Sequence, residues 1–63
     1  MNQTETDMLS AHIQECTRYG VTPLNEDSLK LLVAIGYGLE EAFSVASDID
    51  CGFSWEDAVS ALR

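Results

Sequence analysis

Basic residues are what this chain has least of. Arg18, Lys30 and Arg63 stand against eleven acids, a net charge of −8 in 63 residues. Nucleic-acid binders neutralise phosphates with Lys and Arg, so direct nucleic-acid contact is disfavoured. His12 is the one histidine, and Cys16 and Cys51 are the only cysteines. No metal-ligand spacing can be assembled from them, and at most one intramolecular bridge could form. There is no glycine-rich phosphate loop, and the serines lack a histidine partner placed to activate them. The reading is therefore a non-enzyme with no cofactor. The longest apolar run is too short to span a membrane. No charged and apolar leader opens the sequence, so a cytoplasmic location with reduced thiols is expected.

What remains is apolar content and helix punctuation. Apolar residues make up 46% of the chain, and they are densest over residues 29–38, LKLLVAIGYG. Only Lys30 interrupts the run before the Gly36-Tyr37-Gly38 break. The run suits a helix buried on most sides, with the rest of the chain as its cover.

In chain order, Thr4 is a plausible first N-cap, with Asp7 supplying the acid of a capping box. Met8, Leu9, His12, Ile13, Cys16 and Tyr19 then recur at helical spacing as one apolar stripe. On it, Cys16 reads as a small buried hydrophobe and His12 as a partly buried, hydrogen-bonded ring. Gly20 stands at a left-handed C′ position, from which Val21 could fold back on Cys16. Thr22-Pro23 sets an extended approach, and Asn25 caps the second helix. Leu24 and Leu29 stand at hydrophobic-staple spacing. That helix stops at Gly36, with Tyr37 placed to pack back on Leu32.

Gly38 can cap a third helix with the stripe Leu39, Ala42, Phe43, Ala46 and Ile49, leaving Ser44, Ser47 and Asp48 toward water. Residues 48–52 (DIDCG) suggest a calcium loop, but Phe53 holds the obligatory glycine position and Val59 the terminal Glu position. A helix exit and turn is the reading that fits. Ser54 and Asp57 form an S-x-x-D start signal, with Phe53 placed to staple to Ala58. Ala58, Val59, Ala61 and Leu62 complete a short apolar face, with Arg63 at the negative helix terminus. The expected fold is all-α, a single domain over 1–63. It is a compact bundle of three to four short helices at about 4–19, 25–35, 39–48 and 55–62.

The acids come mostly in pairs, and Glu26-Asp27, Glu40-Glu41 and Glu56-Asp57 occupy first turns of helices, where they complement the macrodipole. The same acids could form a surface that meets a basic partner. The turn between helices two and three has a helix-turn-helix outline. Its would-be recognition helix carries Glu40, Glu41 and Asp48 with no base, which points to protein contact rather than DNA. Tyr37, Phe53 and Trp55 lie near helix ends and are the candidate partner-binding residues. Trp55 either closes the core or anchors an interface. So short a chain cannot bury 46% apolar residues alone, which makes a homodimer an expectation.

Two resemblances bear on function. Residues 31–62 resemble a ubiquitin-associated (UBA-type) domain. Ile35-Gly36-Tyr37 stands at that family's Met-Gly-Phe/Tyr loop, and Ala58-Val59 with Leu62 matches its last helix. This resemblance implies a ubiquitin-type binding module. From MNQTETDMLSAHIQECTRYG to SWEDAVSALR, the whole chain is similar to small acidic proteins of the early region of lambdoid phages. More narrowly, it is similar to the short reading frames between the exonuclease and excisionase genes. That similarity implies a non-enzymatic accessory protein, working in the host bacterial cytoplasm. By binding host factors, it would adjust host growth or the lytic–lysogenic choice. A third reading is an acidic DNA mimic that occupies a DNA-binding protein.

Overall fold

A computed structural model describes residues 3–63, with side chains from residue 7 onward. It contains four α-helices: α1 (Gln3–Arg18), α2 (Glu26–Ile35), α3 (Leu39–Asp50) and α4 (Trp55–Ser60). The all-α expectation holds. The Thr4 capping box lies outside the described side chains. α3 runs two residues beyond its expected end at 48, and α4 ends at Ser60, so Arg63 falls beyond its last turn.

The start and stop signals act as the sequence implies. Asn25 Oδ1 accepts the Ser28 N–H at 2.8 Å, and Ser54 Oγ accepts the Asp57 N–H at 3.1 Å. At α3 the cap works in one direction. Gly38 has no side chain to offer, so Glu41 reaches back and accepts the Gly38 N–H at 3.1 Å. Gly20 and Gly36 take left-handed backbone angles (φ 72° and 112°). In that conformation the chain turns back on the last helical turn. The Val21 N–H donates to the Cys16 carbonyl at 2.8 Å, and the Tyr37 N–H to the Leu32 carbonyl at 3.0 Å. Both are the six-to-one bonds of a Schellman cap.

The centre of the packing is α3. It packs against all three other helices, whereas α2 meets only α1 and α3, and α4 meets α3 alone. Its inward face is Ala42, Val45 and Ala46, all essentially inaccessible. Two alanines one turn apart let neighbouring backbones come close, and Val45 fills the space between them. The rest of the core is Cys16, Leu24, Leu29, Leu32 and Ala58, with the His12 ring buried among them.

The densest apolar run is therefore not the hub. Only Leu29 and Leu32 of α2 are buried, while Leu31 is 56% and Ile35 61% exposed. A helix with apolar residues all round needs neighbours all round, and α2 has two. The fold is also thin, measuring 31 × 25 × 16 Å along its principal axes. Its smallest dimension leaves room for one interior layer of side chains between helices about 10 Å apart. On α1, His12 and Cys16 lie inside as expected. Ile13 and Tyr19, at the edge and end of the stripe, are exposed. On α3, Val45 replaces Ile49 in the core, and Ser47 and Asp48 are half-buried rather than facing water. Ala61 likewise turns outward from the last apolar face.

Two adjacent leucines thus have opposite environments. Truncating Leu32, which is fully buried, to Ala should cost about 2–5 kcal/mol. Leu31→Ala should change stability by no more than about 0.5 kcal/mol. Urea unfolding midpoints of the two variants check this contrast, and similar losses from both would contradict it.

Candidate interaction surface

His12 and Cys16 stand one turn apart on α1, with the thiol sulfur 3.8 Å from Nδ1 and 3.7 Å from Nε2. A cysteine beside a histidine can be a nucleophile and its base, but such pairs need an accessible thiolate. Here both side chains are shut away from solvent. Burial pushes the Cys16 thiol up, and the neighbouring Glu15 charge adds to that; burial also pushes the His12 ring down, against the opposing pull of Glu15. Both groups are held neutral. Nε2 is already occupied, accepting the backbone N–H of Leu24 at 2.9 Å. Among the described residues, no three His, Cys, Asp or Glu side chains gather as metal ligands, and no helix is long and apolar enough to cross a membrane. A furrow lined by Ala11, Gln14, Glu15, Arg18 and Tyr19 runs along one face of α1, a single helix without an opposing wall.

The surface is more informative. Tyr37, Phe53 and Trp55 do not share one environment. Tyr37 and Trp55 are half-buried and lean on the core cluster, whereas Phe53 is 56% exposed. Tyr37 precedes α3 and the other two follow it. The twelve residues of that helix separate the two ends by about 18 Å at 1.5 Å per residue. Phe53 is presented by a third left-handed turn: at Gly52 φ is 106°, and the Phe53 N–H donates to the Asp48 carbonyl at 3.0 Å. The turn fixes its backbone while its ring stays outside the cluster to which Ala58 belongs. Ile49, 37% exposed, lies in the same turn.

A second apolar area was not foreseen in the sequence. Leu31 and Ile35 are neighbours one turn apart on the outer side of α2, and exposed Ala34 lies between them in sequence. Tyr19 is also more exposed than its stripe implied, at 64%, though one edge rests on α3. Its ring meets Phe43 edge to face, with centroids 5.5 Å apart and planes at 68°. The available signal was that Leu29/Leu32 and Leu31/Ile35 fall on different faces of a ten-residue helix.

The acids follow the helix starts. Glu26 and Asp27, Glu40 and Glu41, and Glu56 and Asp57 fill the first turns of α2, α3 and α4. Among the described residues the one ion pair is Glu26–Lys30 at 3.2 Å, an exposed i,i+4 contact. Such a pair adds little stability but neutralises one of the three bases locally. The apolar areas therefore sit on a strongly negative molecule. Comparison of the chain with family models, with curated proteins and with solved structures gave no match.

The aromatics separate by substitution. Phe53→Ala should leave stability within about 0.5 kcal/mol of the parent. Trp55→Ala, which strips a side chain from the core edge, should cost about 1–3 kcal/mol. Thermal unfolding followed by circular dichroism reads both, and a large loss from Phe53→Ala would place that ring inside the packing.

Proposed function

We propose that this protein is a small acidic, non-enzymatic interaction factor that presents apolar side chains to a protein partner. The observation that carries the reading is the combination of a filled core with Leu31, Ile35 and Phe53, each more than half exposed. A domain with its interior satisfied has no folding need for large apolar groups outside, and clusters of them mark contact sites. The resemblance to lambdoid phage early proteins supports a host bacterial factor as the partner. It also supports a role in host physiology or in lytic–lysogenic development. Direct nucleic-acid contact has no part in this reading.

The aromatic site narrows on this basis. Tyr37 and Trp55 brace the core edge, so Phe53, Leu31 and Ile35 are the residues to remove when testing partner binding. A standard interface needs about 800 Å² from each side. This chain has 4168 Å² of accessible surface in all, so self-association into a homodimer would use a substantial share of it. The acids favour a basic rim on whatever partner docks.

Affinity capture from a bacterial lysate with the parent and a Leu31→Ser/Ile35→Ser/Phe53→Ser variant tests the reading, at low and high salt. Loss of a salt-resistant partner, with helicity unchanged, is the expected result. Equal capture by the folded variant would remove this surface from the account. Retention only of DNA-binding proteins that wash off in salt would instead identify a DNA mimic. In parallel, titration with ubiquitin decides the UBA-type alternative, and sedimentation at high micromolar concentration decides the homodimer.

A further inference from the structure

We propose that His12 is an acid-released latch that holds the α1–α2 connection closed while its ring is neutral. The geometry defines one tautomer. Nε2 accepts the Leu24 N–H at 2.9 Å, so the ring proton resides on Nδ1, whose neighbour is the Cys16 sulfur at 3.8 Å. The ring is 1% exposed, and among the described residues it has no other hydrogen-bond partner. A proton arriving from solvent at Nε2 places an N–H against the Leu24 N–H, donor facing donor. The bond is then lost, and a charge is left in an apolar interior.

The surroundings offer that charge little compensation. On its own helix the ring is faced by the neutral Cys16 thiol and influenced by Glu15. The buried residues of α2, α3 and α4 are Leu29, Leu32, Ala42, Val45, Ala46 and Ala58, none of them ionisable. The half-buried acids of α3 are Glu41, committed to the Gly38 N–H, and Asp48. Burial outweighs the attraction of Glu15, and His12 binds its proton less readily in the folded chain than in the open one. The latch is consequently complete above about pH 6.5, the ordinary histidine value, weakens as pH falls from there, and is lost through the lower value at which the folded ring takes its proton.

What it releases is specific. Pro23 has no N–H to give, and Thr22 is exposed. Between Val21 and the Asn25 cap, the Leu24 N–H makes the one hydrogen bond that ties the connection to the body among the described residues. Leu24 also belongs, with Leu29, to the buried core cluster. Letting go of it loosens the entry to α2 beside Cys16, which is 0% exposed and whose sulfur stands 3.7 Å from the same Nε2 that holds the Leu24 N–H. The device joins a pH-sensitive ring to a buried thiol and to the helix carrying Leu31 and Ile35.

The two cysteines provide a built-in readout, since Cys51 is exposed and Cys16 is not. Labelling with 4,4′-dithiodipyridine, which reacts with thiols at acid pH, should be followed from pH 7.5 to 5.0. The Cys16 rate is taken relative to Cys51, alongside NMR of the His12 ring and the Leu24 amide. Expected is a rise in the Cys16/Cys51 ratio of up to tenfold per pH unit below about 6.5, together with loss of the Leu24 amide's hydrogen-bonded shift. The His12→Gln variant, whose amide oxygen can accept the same N–H without titrating, should give a flat ratio. A His12 ring that titrates near 6.5 while Cys16 stays protected would overturn the latch. So would a pH dependence unchanged in a folded His12→Gln variant, or Cys16 protection that persists to pH 5.0. If that variant fails to fold, concerted or separate titration of the ring, the amide and the thiol in the parent decides between the same alternatives.

Discussion

Close approach along one face of α3 is the constraint on which this fold depends. Ala42 and Ala46 present little more than a methyl group each, and Val45 between them fills the seam. Helices α1, α2 and α4 can therefore all reach α3, and a chain of 63 residues closes a core whose largest fully buried side chains are Leu32 and His12. A leucine at either alanine would push a neighbour away and require the other helices to follow. The thinness of the molecule, 16 Å across its shortest axis, follows from the same seam. With one interior layer available, a large share of the apolar side chains is placed at the edge or outside.

That geometry explains why local signals were readable and the hub was not. Helix starts and stops depend on a few residues at fixed offsets, and Asn25, Ser54, Gly20 and Gly36 each act as their neighbours imply. The buried character of Cys16 and His12 was equally legible, because both lie mid-stripe on α1. Burial at the level of the whole fold depends on how many neighbours a helix has, and no local pattern carries that count. Leu29, Leu31, Leu32 and Ile35 look alike in the sequence, yet two are inside and two outside. Val45 was hidden for the converse reason, since Phe43 and Ile49 outweighed it by size in the stripe.

The candidate site was legible in part. Of the three aromatics near helix ends, Phe53 is exposed, whereas Tyr37 and Trp55 lean on the core edge. The outer side of α2 emerged only once the packing was known. The acids serve two levels at once, stabilising the starts of α2, α3 and α4 while giving the whole molecule a field that attracts basic partners. His12 adds a tie of its own, since Nε2 holds the Leu24 N–H one residue before the Asn25 cap of α2.

The most direct test of this account is native-state hydrogen exchange measured residue by residue. If α3 is the hub, its central amides, from Phe43 to Ser47, are the last to exchange and share the global unfolding free energy. The α2 amides then exchange earlier, through local opening. Slowest exchange in α2, with α3 opening first, would contradict the account and return the organising role to the apolar run at residues 29–38.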